Sequence, residues 1–86
     1  MTTMELDTQV KSILTERLGL PAEAITSDAR LVEDLEMDSL DAVELAIQME
    51  REFGISIEED ALRDVGTVAE VVALLERLRS EQGVTV

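Results

Sequence analysis

Apolar residues fall three and four apart in three separate stretches of this chain, and that spacing commits it to packed helices. In the first stretch, Leu6, Val10, Ile13, Leu14 and Leu18 share one helical face. The spacing predicts a helix from Met4 to Leu18, opened by a Thr2–Glu5 capping box and closed by Gly19 and Pro21. The second stretch predicts a helix from Ser39 to Phe53, with Asp38 as N-cap, Asp41 at the third helical position and Gly54 as its stop. Asp41, Glu44, Gln48, Arg51 and Glu52 fall on one polar arc. Leu40, Ala42, Val43, Leu45, Ala46, Ile47, Met49 and Phe53 cover most of the rest, so this helix is expected to touch several others and to stand at the centre of the bundle. The last helix, Thr67 to Arg79, follows Gly66, opens on a Thr67–Glu70 capping box and turns Val68, Val71, Val72, Leu75 and Leu78 inward.

The connections are uneven. Residues 20 to 37 make a long one, with apolar anchors at Leu20, Ile25, Leu31, Val32 and Leu35 and room for a short turn near Ser27 to Leu31. A connection of this length is functional or carries structure of its own. Ile55 and Ile57 alternate with Ser56 over too few residues for a strand, so an extended link is expected there, followed by a short third helix from Glu59 to Arg63. Ser80 to Val86 is expected to fray. The expected fold is all-α: a four-helix bundle of three long helices and one short one, in a single domain spanning residues 1–86.

Composition narrows the chemistry. The chain has no Cys and no His, which removes disulfides, thiolate nucleophiles and the commonest general base and metal ligand. No catalytic residue and no metal site is expected, and the two absences suit a protein whose reactive group is attached afterwards. Met1 to Glu5 has neither a basic stretch nor a long apolar run, and no segment approaches the roughly 20 apolar residues of a membrane span. A cytoplasmic monomer with no membrane partner is the expectation. The net charge is −13, concentrated between Glu33 and Asp60, where 11 acidic residues face one basic residue, Arg51. That sign excludes nucleic acid as a partner and suits basic protein patches.

The segment Asp38-Ser39-Leu40-Asp41 is the most informative. It puts a hydroxyl at the start of the central helix, exposed and beside backbone N–H groups that favour a phosphate ester. Alone, such a tripeptide marks nothing more than a capped helix.

Its surroundings carry more. The run from Leu31 to Leu45, continued by Glu50-Arg51-Glu52-Phe53-Gly54-Ile55 and by Gly66-Thr67-Val68, closely resembles the acyl carrier protein family from about Val10 to Leu78. The resemblance implies that Ser39 accepts 4′-phosphopantetheine from coenzyme A through a phosphopantetheinyl transferase. It also implies that Asp38 contacts that enzyme or its metal, and that the distal thiol holds acyl groups as thioesters. It implies a partner-docking face of Leu40, Asp41, Glu44 and Ile47, offered to acyl transferases, ketosynthases and other synthase enzymes. It further implies an acyl pocket between the second and third helices, lined by Leu45, Ala46, Ile57, Leu62 and Val65. Ordinary core packing also accounts for each of those five residues.

Four positions depart from the common family pattern. Glu36-Met37 stand where a small pair often precedes the serine, Arg51 where the helix is usually acidic, Glu58 where Pro is frequent, and Leu62 where a smaller residue is common. They bear on partners and cargo length, and leave room for a specialised carrier beside one of fatty-acid or polyketide synthesis. An aminoacyl or peptidyl carrier is the nearest alternative, although the Gly-Gly pair and the less acidic helix of those carriers are absent. A binding-only acidic adaptor is the alternative from another class. A calcium loop over Asp28 to Ser39 lacks the central Gly and alternating ligands.

Overall fold

The computed structural model describes residues 3–58 and 60–83. Three α-helices organise it: α1 (Thr3–Glu16), α2 (Ser39–Phe53) and α3 (Val68–Glu81). Single 3₁₀ turns form at Ala22–Ala24 and Ala61–Asp64. Among the described residues there is no strand, only an isolated bridge between Arg30 and Thr67. No described helix is long and apolar enough to cross a membrane.

The short third helix expected from Glu59 to Arg63 is not found among the described residues; a single 3₁₀ turn, Ala61–Asp64, takes its place. Helix nucleation fixes a full turn of residues before propagation repays it. Here the chain leaves the helical region at Val65 after four residues, too soon for propagation. The expected centre of the bundle is also corrected. The closest packing is between α1 and α3, and α2 leans on them more lightly. Its apolar residues divide between two faces. Leu45, Met49 and Phe53, four apart, are buried, whereas Leu40 is 78% exposed, Val43 43% and Ile47 37%.

α1 buries Leu6, Val10, Ile13 and Leu14 in the shared core, to which α3 contributes Val68, Val71, Val72, Leu74 and Leu75. α1 stops at Glu16, short of Leu18, and the Leu20 N–H returns to the Leu14 carbonyl across Gly19 in the left-handed conformation. The Thr2–Glu5 capping box lies outside the described residues, because Thr2 does. α3 runs past Arg79 to Glu81, so Ser80 and Glu81 are helical rather than frayed; residues 84–86 lie outside the described residues. The Gln82 side chain returns from the helix end to Ser56. Arg79, in the last turn of α3, is buried with the core.

The long connection is a structural layer in its own right. Ile25, Ala29, Leu31, Leu35 and Met37 are buried in it. Val32, expected to be an anchor, is 71% exposed, because the chain turns outward between Arg30 and Asp34. The connection also caps α3. The Val68 N–H donates to the Ala29 carbonyl (3.1 Å), the Ala69 N–H to the Ser27 carbonyl (2.9 Å), and the Glu70 N–H to the Thr67 hydroxyl (3.2 Å). Three N–H groups that a helix start leaves without partners are thereby satisfied. The expected Thr67–Glu70 box is only half made, since the Glu70 carboxylate accepts from the Thr67 hydroxyl instead of the Thr67 N–H.

Within this layer Asp34 accepts the Arg30 N–H (2.8 Å) and two guanidinium hydrogen bonds (3.2 Å each). Hydrogen bonds from the Arg30 side chain and backbone hold the Asp34 carboxyl below the usual aspartate range. A carboxyl lowered in the folded state stabilises above its unfolded pKa, and that contribution disappears as pH falls through the folded value. In a carboxyl-detected NMR titration Asp34 is expected to titrate below the ordinary value of about 3.9. Arg30→Ala should move it upward only part of the way, since the backbone N–H of residue 30 still donates to it; no movement would exclude the guanidinium as the main cause.

Glu36 has φ 55°, the only non-Gly residue with positive φ among those described. A left-handed L-residue costs roughly 1–2 kcal/mol, and Gly removes that strain while adding about 0.4–1 kcal/mol of unfolded-state entropy. Glu36→Gly is therefore expected to stabilise by about 0.5 kcal/mol, a rise of a few degrees in melting temperature by circular dichroism. A fall would show that the Glu36 side chain contributes more than its backbone costs.

Candidate functional site

The first turn of α2 is built by its own carboxylates. The Asp41 N–H donates to Asp38 Oδ1 (2.9 Å) and the Asp38 N–H to Asp41 Oδ2 (3.3 Å), a complete capping box. Ser39 stands inside this clasp at the first helical position and is exposed. The Ser39 hydroxyl and the N–H groups of Ser39 and Leu40 make no hydrogen bond among the described residues. An exposed, unengaged hydroxyl beside two open N–H groups fits a phosphodiester, whose anionic oxygens need such donors.

From Ser39 an apolar groove of about 730 Å³ runs along α2. Its floor is a helical stripe: Ser39, then Ala42 and Val43, then Ala46 and Ile47, then Glu50. At 1.5 Å per residue this stripe is about 16 Å long. Leu45, Ala46, Ile57, Leu62 and Val65, the five residues expected to line an acyl pocket, all border the groove, together with Asp38 and Ser39. Sequence reasoning missed Leu31 and Met37, which the long connection folds over the same space. The only sign of them was an apolar residue at each position, with no period to assign a face.

The expected docking residues are placed differently from one another. Leu40 stands out into solvent. Asp41 is half-buried and engaged in the cap, and Glu44 is half-buried and accepts from Gln48 (3.1 Å). Ile47 lies on the outer face and also on the rim of the groove, as does Val43. Among the described residues no group of three or more carboxylates is arranged to hold a metal ion.

An exposed serine at the head of a helix, opening on an aliphatic groove, is an arrangement suited to a carrier domain. Likeness to known proteins gives that class its family. Residues 8–75 match the family model of the phosphopantetheine attachment site. The chain is 38% identical over 73 residues to an acyl carrier protein of Thermotoga maritima, covering 85% of this chain and 90% of that one. It is 46% identical over 70 residues to an acyl carrier protein of Saccharopolyspora erythraea, covering 81% and 74%. Its fold matches the crystal structure of an acyl carrier protein from Thermotoga maritima with a TM-score of 0.79 at 22% identity, over 92% of each chain. The chain belongs to the acyl carrier protein family, whose members bear phosphopantetheine and carry acyl groups without being enzymes themselves.

Proposed function

We propose that Ser39 is the attachment point, that its 4′-phosphopantetheine thiol carries acyl intermediates of fatty-acid or polyketide-type synthesis, and that the groove beside it receives the acyl chain. The exposed Ser39 hydroxyl at the mouth of that groove carries the proposal. Ser39 Oγ would bond to the phosphorus that bears the pantetheine arm as the diphosphate P–O bond of coenzyme A breaks, with adenosine 3′,5′-bisphosphate leaving and the serine proton passing to the transferase. When bound, the arm supplies the thiol that this chain lacks. Asp38 would orient the serine through the cap and meet the transferase.

The groove lining favours acyl over aminoacyl cargo. Leu31, Val43, Leu45, Ile57, Leu62 and Val65 make most of the lining aliphatic, with the carboxylates Asp38 and Glu50 only at its two ends, and burying a cargo amine along the aliphatic part, away from a partner, is unfavourable. Each CH₂ of an alkyl chain gains about 0.8 kcal/mol there. The exposed side of α2, with Leu40, Asp41, Glu44 and Ile47, would meet basic patches on the transferase, on acyl transferases and on ketosynthases, as a cytoplasmic monomer. Charge complementarity of that kind acts mainly on the rate of encounter.

The test is intact-protein mass spectrometry after incubation with coenzyme A, magnesium and a broad-specificity phosphopantetheinyl transferase. One phosphopantetheine per chain is expected. A chain left unmodified by a transferase active on another carrier would overturn the proposal.

A further inference from the structure

The wall of the groove opposite α2 is held in an unusual way. Ile57 is buried and lines the groove from the link Ile55 to Glu58. Among the described residues, 55–57 make no backbone–backbone hydrogen bond. The link hangs instead from two side chains. The Ile57 N–H donates to Glu50 Oε2 of α2 (2.8 Å) in a half-buried setting. On the other side, the Ser56 N–H donates to Gln82 Oε1 (2.8 Å), and Gln82 Nε2 donates to the Ser56 carbonyl (2.8 Å). Glu50 is itself at the far end of the groove floor, so the bond it makes spans floor to wall.

We propose that Glu50 is a positioning residue for cargo retention: its carboxylate clamps the Ile57 wall onto α2, and the Ser56–Gln82 pair is the hinge about which that wall opens. Without the clamp the link keeps its attachment to α3 but loses the one to α2, and Ile57 swings from the floor stripe. A chain lying in the groove is then exposed to water and to nucleophiles. This rests on the reading of the groove as the place of the acyl chain.

The test uses the full chain carrying either an octanoyl or an acetyl thioester on its arm. Hydroxylamine cleavage is followed by mass spectrometry, and Ile57 N–H exchange by NMR. Glu50→Leu removes the acceptor, Glu50→Gln keeps an acceptor oxygen, and Gln82→Ala frees the hinge without touching the lining. In Glu50→Leu octanoyl cleavage and Ile57 exchange should both rise about tenfold, the measure of one hydrogen bond to a charged acceptor. Acetyl cleavage should not change, because an acetyl group is too short to enter. Glu50→Gln should stay near wild type, a rescue that a general loss of stability would not show. Octanoyl cleavage at the wild-type rate in Glu50→Leu, or equal acceleration in Glu50→Gln, would overturn the proposal. If Glu50→Leu does not fold, Glu50→Ala takes its place, with faster octanoyl cleavage supporting the clamp and an unchanged rate refuting it. Gln82→Ala keeps the clamp and should stay near the wild-type rate, and acceleration there equal to that of the Glu50 variant would overturn Glu50 as the residue that holds the wall. If wild type itself cleaves octanoyl and acetyl alike, the groove does not shelter cargo, and that outcome removes the underlying reading together with the clamp.

Discussion

Ser39→Ala protein gains no phosphopantetheine under conditions that load the wild type fully, and it melts at the same temperature. The reason for the first half is chemical: alanine has no oxygen to join to phosphorus, and no neighbouring hydroxyl takes over, since Asp38 and Asp41 flank the site with carboxylates. The reason for the second is structural. The Ser39 side chain is exposed, and the cap is made by Asp38 and Asp41 without it. Alanine is also the better helix former, so the stability change should stay within about 0.5 kcal/mol. Intact mass and circular dichroism read the two halves separately. Full loading of Ser39→Ala would move the attachment to another hydroxyl and sink the site assignment. A large fall in melting temperature would instead show that the serine supports the helix start.

The largest loss of stability should come from the α1–α3 seam. Leu14 is fully buried there. Leu14→Ala removes its methyl groups and leaves a void that helices held by their own backbone bonds cannot close, a cost of about 2–5 kcal/mol. A chain of this length has only about 4–13 kcal/mol in total, so the variant should melt more than about 10 °C lower. Leu40→Ala is the matched control: the same atoms are lost from a side chain that is 78% exposed, and the change should stay within about 0.5 kcal/mol. Circular dichroism is the suitable signal, because the chain has no Trp and no Tyr. Equal losses in the two variants would contradict the packing of Leu14 between α1 and α3.

Two of the long elements, α2 and α3, were legible because their signals are local. Asp38 and Asp41 specify the start of α2, and Gly54, in the left-handed conformation, its end. Thr67 marks α3, though its capping partner is used differently. What was hidden depends on contacts distant in sequence. Nothing near Val68 or Ala69 reveals that Ala29 and Ser27 will accept their N–H groups. The α2 pattern shows apolar residues nearly all round, but which of them meet the core depends on where α1 and α3 leave room. So Leu45 and Ile47, two residues apart, part company, and the helix expected at the centre lies to one side. The stretch after Asp60 has helical composition, and only its early exit at Val65 makes it a turn.

For the site, Ser39 and the five residues that border the groove were reached through the family resemblance, whereas the joining of Leu31 and Met37 to them is a product of the loop's path. Glu36 is a further case. Its left-handed backbone is a demand of the turn into Asp38, and a glutamate in the sequence gives no hint of it.

Val43 and Ile47 belong at once to the outer surface and to the lip of the groove. On the function proposed above, a visiting enzyme that grips this side of α2 would have its fingers on the edge of the container it has come to empty. Recognition and unloading would then need no relay through the protein, because the same two side chains would serve both. By the same token, a full groove and an empty one should feel different to the visitor from outside.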